Sequence, residues 1–412
     1  MSDAALCWSC KVIFYNVYML PEWPLFPNGQ IERSRAMSQV IRNSEEFRTA
    51  DIVILCEAFE QECYTTLSKS LSDIGFKYQT HRLGDDDLTM KKSLFTLLWH
   101  RSLRVLNGGI VLFSRFPLYN SEYIYYKSNG NDIELMGTDA MAMKGFIYTQ
   151  VKLSSTHTVH VIATHLQANG FRYLKNNGKK DDLIADQIRL RESEKIKQFI
   201  DEKKIPNSQP VLICGDLNQD NYSKSNIQAF DSICNTLGAR NLEETCIKPS
   251  YHPSVNDLAS RVSPTEAPQR LDHCLYSIHH LSPILSFSTC NVLDQFKSTT
   301  PIQGSLSASK EEKAQAWAPS TYHLSDHFPV SATFQFLNSP NLVKDVIIGQ
   351  KYNSKVILSP KTNHMSQRNK NPDNITNSIN NNNNNNINNN NNNNKKPNIV
   401  QWGISLFAGK KK

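Results

Sequence analysis

The residues of this 412-residue chain that could do chemistry sit at the ends of apolar runs. In "VLICGDLN" (211–218) a largely apolar stretch reaches a glycine, which permits a tight exit, and Asp216 and Asn218 follow at alternate positions. At strand periodicity those two side chains face the same side. A carboxylate and an amide pointing into one cleft suit a hard cation and a phosphate oxygen. In "TYHLSDHFPVSATFQF" (321–336), Ser325, Asp326 and His327 stand directly before an alternating apolar stretch. They add an oxygen ligand and a group that titrates near neutral pH. Glu57 ends "DIVILCE", Asn16 lies in "FYNVY", His165 in "IATHLQ" and Asp272 in "RLDHCLYS". Singly, each has an ordinary explanation. An Asn in a strand can mark a bulge, a Glu after an apolar run often caps a helix, and a lone His is usually a satisfied surface or core residue. Together, Asn, Asp, Glu and His without Cys point to Mg²⁺, with Mn²⁺ as a substitute, rather than to structural zinc.

Such groups need strands to carry them. Strand-like runs are expected at 11–19, 51–57, 108–114, 144–153, 157–166, 210–218, 270–277 and 328–336. The fourth and fifth read as a hairpin around Ser154-Ser155-Thr156. Helical stretches are expected near 31–48 and 60–73. A third spans 182–203, with apolar positions at helical spacing and charges opposite. Strands and helices mixed along the chain predict an α/β class.

Charge divides the chain. From Asn338 on there are 11 basic and 2 acidic residues, leaving 34 basic and 36 acidic before it. The body is therefore near neutral, and its charge gives no sign of a nucleic-acid binder. Two regions are expected: a folded domain over 1–337 and a basic, Asn-rich, low-complexity tail over 338–412. The tract Asn380–Asn394 has too little apolar surface to offset the entropy of ordering, so disorder is expected there. The end, "PNIVQWGISLFAGKKK", reads as part of that tail. Docking on anionic lipid is the competing reading. No apolar run reaches the roughly 18 residues that a spanning helix needs. The N-terminus lacks a basic segment followed by an unbroken apolar one. A cytoplasmic or peripheral-membrane location is expected, with secretion left open. The nine cysteines are irregularly spaced, and Cys56 and Cys214 fall inside apolar runs, where buried thiols are the norm.

The order of these segments resembles the endonuclease/exonuclease/phosphatase superfamily of DNase I relatives, over about residues 11–337. Asn16, Glu57, His165, Asp216-x-Asn218, Asp272 and Ser325-Asp326-His327 carry the resemblance. Within it, four stretches resemble neutral sphingomyelinases of the bacterial type: "NVYMLPEWPLFPNGQIERS" (16–34), "NGGIVLFSRFPL" (107–118), "DAMAMKGFIYTQV" (139–151) and "ATHLQA" (163–168). The resemblance implies a four-layer α/β/β/α sandwich of two mixed sheets. It implies Mg²⁺-dependent hydrolysis of sphingomyelin to ceramide and phosphocholine at a membrane surface, with a related phosphocholine lipid as the alternative substrate.

The resemblance also implies roles. Glu57 would bind the cation with Asn16 close by, and Asp326 would serve the metal centre. His327 would be the general base, oriented by Asp272. Asp216 and Asn218 would position the nucleophile and the phosphate, and His165 would stabilise charge on the phosphoryl oxygens. Asp139 and Lys144 would report on activation of the site. Three rivals share the scaffold. A nuclease would show strong salt dependence. An inositol-phosphate phosphatase would want a Trp-Cys-Asp-Arg type motif where this chain has "APQRLDHCLYS". An inactive binding protein would have lost a metal or base residue, and none is lost. The region 278–320 has no clear counterpart; Trp317 is its candidate for bilayer contact or, equally, for packing on the core.

Overall fold

The computed structural model describes residues 7–21, 29–85, 106–126, 139–140, 142–169, 178–242, 248–302 and 321–338. The tail beyond 338, with its Asn tract and apolar-basic end, and Trp317 lie outside the described residues.

The first apolar run forms β1 (Cys7–Met19), which is covered on both faces. Cys10, Val12 and Phe14 point into one apolar cluster, Ile13, Tyr15 and Val17 into another. A strand buried on both sides has to read as nearly continuous apolar sequence, as this one does. It sits inside a six-stranded sheet ordered β11 (Thr289–Val292), β14 (Val330–Leu337), β1, β2 (Ile52–Ala58), β4 (Val111–Ser114) and β3 (Tyr78–Gln79). A second six-stranded sheet is ordered β5 (Leu118–Tyr125), β6 (Gly145–Lys152), β7 (Thr158–His165), β8 (Val211–Asp216), β10 (Asp272–Ser277) and β9 (Ala239–Asn241). A two-stranded ribbon pairs β12 (Lys297–Ile302) with β13 (Thr321–His323).

The two large sheets pack face to face. Val12, Phe14, Ile54 and Leu112 of the first meet Ile147, Val161, Leu212 and Cys274 of the second in one buried cluster. Burying each such aliphatic or aromatic side chain stabilises by about 1.5–3 kcal/mol. Helices α1 (Gln30–Asn43), α2 (Glu45–Thr49) and α3 (Gln61–Asp73) cover the outside of the first sheet. Helices α4 (Gly178–Lys203) and α5 (Ile227–Leu237) cover the outside of the second. A short α6 (Asp257–Val262) follows. This is the expected four-layer α/β/β/α arrangement, and both sheets are mixed.

The strand directions decide where chemistry can gather. β1 and β2 run parallel, as do β7 and β8, so their C-terminal ends lie side by side. β10 and β14 run antiparallel to β8 and β1 and therefore begin at those ends. His165, Asp216 and Asp272 come into direct register across β7, β8 and β10. The predicted 144–166 hairpin is present as β6 and β7. Cys56 and Cys214 are buried, unpaired thiols.

One expectation is corrected. The helix over 182–203 is present as part of α4, but its charges do not all lie opposite its apolar stripe. Arg189 and Glu192 are fully buried beside Ile188 and Ile196.

Candidate active site

Asn16, near the end of β1, links the two sheets. Its Nδ2 donates to Glu57 Oε1 at 3.1 Å and to Asp216 Oδ2 at 3.0 Å, and its Oδ1 accepts from the Tyr18 amide. The strand exits here are bent. Tyr18 (φ 50°), Glu57 (φ 56°) and Asn218 (φ 49°) all adopt left-handed backbone, which is costly for a non-glycine residue and tends to mark functional sites. Gly109 makes the turn beside Glu57 possible. Its φ is +67°, and a Cβ there would lie 3.0 Å from the Phe59 ring and 3.2 Å from the Glu57 Cα.

Two groups of side chains could hold a cation: Glu57 with His165 and Asp216, and Asp216 with Asp272 and His327. Within each, the ligand atoms lie within 4.8 Å of one another. Glu57 Oε2, His165 Nδ1 and Asp272 Oδ1 are buried and have no hydrogen-bond partner among the described residues. Burial, with Asp326 and Asp216 adding negative charge, pushes the Glu57 carboxyl up to about 8. Burial and the Asp272 charge push Asp216 up to about 6. Buried carboxylates this close repel one another. Orphaned acceptors and mutual repulsion are what a divalent cation relieves, so the residues fit one.

Across the cluster, His327 Nδ1 meets Asp272 Oδ2 at 2.7 Å, and Asp272 is fully buried. Burial pulls the His327 ring down. Asp272, Asp326 and Asp216 outweigh it and hold the imidazole well above the usual histidine range. With Nδ1 turned to Asp272, Nε2 is left for substrate or water. Tyr251 packs on the ring at 5.3 Å. His165 is held low by burial and by the charges of Lys144 and His327, so its ring is neutral at ordinary pH. Its Nε2 lies 3.7 Å from Asp216 Oδ2.

The sequence-predicted residues thus converge. Asn16, Glu57, His165, Asp216, Asp272 and His327 form one cluster. The Asn218 amide caps Asp216 Oδ1 at 2.9 Å, and its Nδ2 donates to the Leu166 carbonyl, just after His165. Asp326 stands at the back of the cluster, with Oδ1 accepting from the Ser325 hydroxyl. Lys144 and Asp139 form a buried ion pair at 2.6 Å and do not touch the carboxylates. Lys144 donates to the Leu166 carbonyl at 2.9 Å and Asp139 accepts from the Ala168 amide.

Other residues hold the site in place and carry no sequence signal strong enough to single them out. Asn256 donates to the carbonyls of Ser325 and Asp326 while its Oδ1 caps α6. Ser250 accepts from the amides of Leu271 and Asp272. Arg33, fully buried on α1, donates to the carbonyls of Val17, Tyr18 and Leu324. An Asn before an acid is a recognisable helix cap. Nothing local says that Arg33 turns inward.

Comparison with known proteins agrees with the fold. The profile of the Endonuclease/Exonuclease/phosphatase family matches residues 13–327. A sphingomyelinase C of Bacillus cereus is 30% identical over 277 residues, which is 66% of this chain and 76% of that protein. Among solved structures, a mutant beta toxin from Staphylococcus aureus with bound magnesium ions superposes with a TM-score of 0.62 at 24% identity, covering 78% of this chain and 98% of that one. A sphingomyelinase C from Streptomyces griseocarneus superposes with a TM-score of 0.61 at 25% identity, covering 79% and 99%.

Proposed function

This chain belongs to the endonuclease/exonuclease/phosphatase family and has bacterial sphingomyelinases among its relatives, and from that premise we propose that it hydrolyses sphingomyelin to ceramide and phosphocholine with Mg²⁺ as cofactor. The observation that carries the reading is the pairing, across one cleft, of a His327–Asp272 dyad with a buried carboxylate cluster that has orphaned acceptors.

Glu57 and Asp216 would hold the cation, with Asn16 and Asp326 behind them. When bound, it would neutralise charge on the phosphodiester and polarise the leaving oxygen. The chain's own residues do the rest. His327 Nε2 takes a proton from the attacking water as oxygen adds to phosphorus. Asp272 holds the ring in the required tautomer and stabilises the imidazolium that forms. The bond from phosphorus to the ceramide oxygen breaks, that oxygen takes a proton from solvent water, and the His327 imidazolium returns its proton to solvent. The Asn218 side chain and His165 face the phosphoryl oxygens; a neutral His165 can donate one hydrogen bond there without repelling the cation. General-base help of this kind is worth about 10²–10⁴-fold.

Reaching the substrate requires contact with a lipid surface. Among the described residues no helix is long and apolar enough to cross a membrane. The test is purified protein with Mg²⁺ offered sphingomyelin, lysophosphatidylcholine, an inositol phosphate and plasmid DNA side by side. Phosphocholine release fastest from sphingomyelin is expected. Release from neither lipid would overturn the reading.

A further inference from the structure

His165 ends β7, and the chain then leaves the sheet as Leu166-Gln167-Ala168-Asn169. Much of that exit is held by side chains. The Leu166 carbonyl accepts from Lys144 and Asn218. The Ala168 amide donates to Asp139. Gln167 is gripped at both ends from the buried face of α4: its amide donates to Glu192 Oε2 at 2.8 Å, and its carbonyl accepts from Arg189 Nη1 at 2.8 Å. Glu192 and Arg189 are three apart and so share a helix face. Arg189 is committed in every direction. Nη1 also reaches Asn169 Oδ1, Nη2 pairs with Asp186, and Nε donates to Gln219 Oε1 at 3.1 Å. Gln219 directly follows Asn218, so one guanidinium ties the exit of β7 to the exit of β8.

A buried acid and a buried guanidinium on a helix whose described residues are in neither candidate cation group need a reason, because burying charge is costly unless it is used in hydrogen bonds. Here the bonds go to the main chain of the segment that aims His165. We propose that Glu192 and Arg189 are positioning residues: they clamp the Gln167 peptide groups and so set the place of the His165 ring relative to Asn218 and the reacting phosphorus. The inference rests on the phosphodiesterase reading, with His165 facing the phosphate. Burial holds the Glu192 carboxyl up to about 8, so a neutral amide is a close stand-in for it, whereas a thioether of similar size is only a weak acceptor for the Gln167 N–H.

The test compares Glu192→Gln and Glu192→Met, each alone and on a His165→Ala background. Glu192→Met is expected to lower kcat roughly 10–10²-fold, as a small misplacement of a reacting group does, with KM within about threefold. Glu192→Gln should keep most of the rate. On the His165→Ala background Glu192→Met should change the rate by no more than about twofold, because the ring it places is gone. A penalty of full size on that background would overturn the proposal, as would an equal loss in Glu192→Gln and Glu192→Met. Hydrogen exchange on the wild-type protein needs no substrate and stands whichever variants fold. Protected amides at Gln167 and Ala168 are expected, and exchange there at the rate of an open loop would overturn the clamp. If the wild-type protein cleaves no phosphodiester, the functional reading fails separately, while exchange still judges the clamp.

Discussion

The buried carboxylates should make thermal stability depend on pH in a way that Mg²⁺ removes. Without a cation, Glu57 is pushed up to about 8 and Asp216 up to about 6, both far above ordinary carboxyl values. A group whose pKa is raised by folding contributes stability that is complete below its unfolded pKa and is lost as pH rises through its folded one. The metal-free protein should therefore weaken between about pH 5 and pH 8. Each fully effective group contributes about 1.4 kcal/mol per pH unit, so Glu57 alone could lose on the order of 4 kcal/mol across that range. The real loss is smaller. The two acids share one cluster and do not add, and Glu57 is partly exposed to solvent. About 2 kcal/mol is a reasonable figure, equivalent to a Tm fall of about 2–3 °C in a chain of this size. A bound cation takes the proton's place, so the Mg²⁺-induced rise in Tm should grow with pH by that amount. The assay is calorimetry across this pH range, with EDTA and with saturating Mg²⁺. Titrating groups away from the cluster, Glu192 included, are present in both arms and cancel from the difference. His327, held up by Asp272, Asp326 and Asp216, loses part of that hold when a cation binds and so shifts the difference in the same direction. Glu57→Gln should flatten the metal-free slope and remove most of the Mg²⁺ effect. A Mg²⁺-induced shift of equal size at both ends of the range would refute the reasoning.

Three further outcomes are expected. His327→Ala should lose about 10²–10⁴-fold in kcat with the fold intact by circular dichroism; a variant keeping more than about a tenth of the rate would remove His327 as the base. Asp272→Asn should lower the plateau rate and move the rising limb of the pH–rate profile to lower pH, since Asp272 is the chief group holding His327 up; an unmoved limb in the kinetic profile would contradict that coupling. Gly109→Ala should destabilise by about 1–2 kcal/mol in denaturant titration, because its left-handed backbone disfavours a side chain, and should also slow turnover by displacing Glu57. Unchanged stability would show that the turn relaxes freely.

Much of the site could be read locally because the relevant residues punctuate apolar runs. "VLICGDLN" announces a strand, a tight exit and two polar groups on one side, and β8 with Asp216 and Asn218 fulfils it. The 144–166 hairpin was legible from alternation and a Ser-Ser-Thr turn. The short partners β3, β9 and β11 were not: edge strands of two to four residues carry too little periodicity to stand out. Arg189 and Glu192 were hidden for a different reason. On an amphipathic helix a charge is expected to face water, and only the position of the Gln167 peptide groups explains why these two face inward.

The sequence by itself determined the inventory: which residues could ligate, titrate or orient, which runs would become strands, and that the folded body is near neutral. Tertiary structure alone decided their meeting. Asn16 and Asp216 are 200 residues apart yet share a hydrogen bond, because parallel β1–β2 and β7–β8 pairs deliver their C-terminal ends to one edge. His327 and Asp272 are 55 residues apart in the chain and bond in the fold, because two antiparallel strands begin at that same edge. Local spacing encodes the direction a side chain takes from its own strand; distance between strands comes from packing two sheets face to face, and the raised carboxyl pKa values exist only once that packing has excluded water.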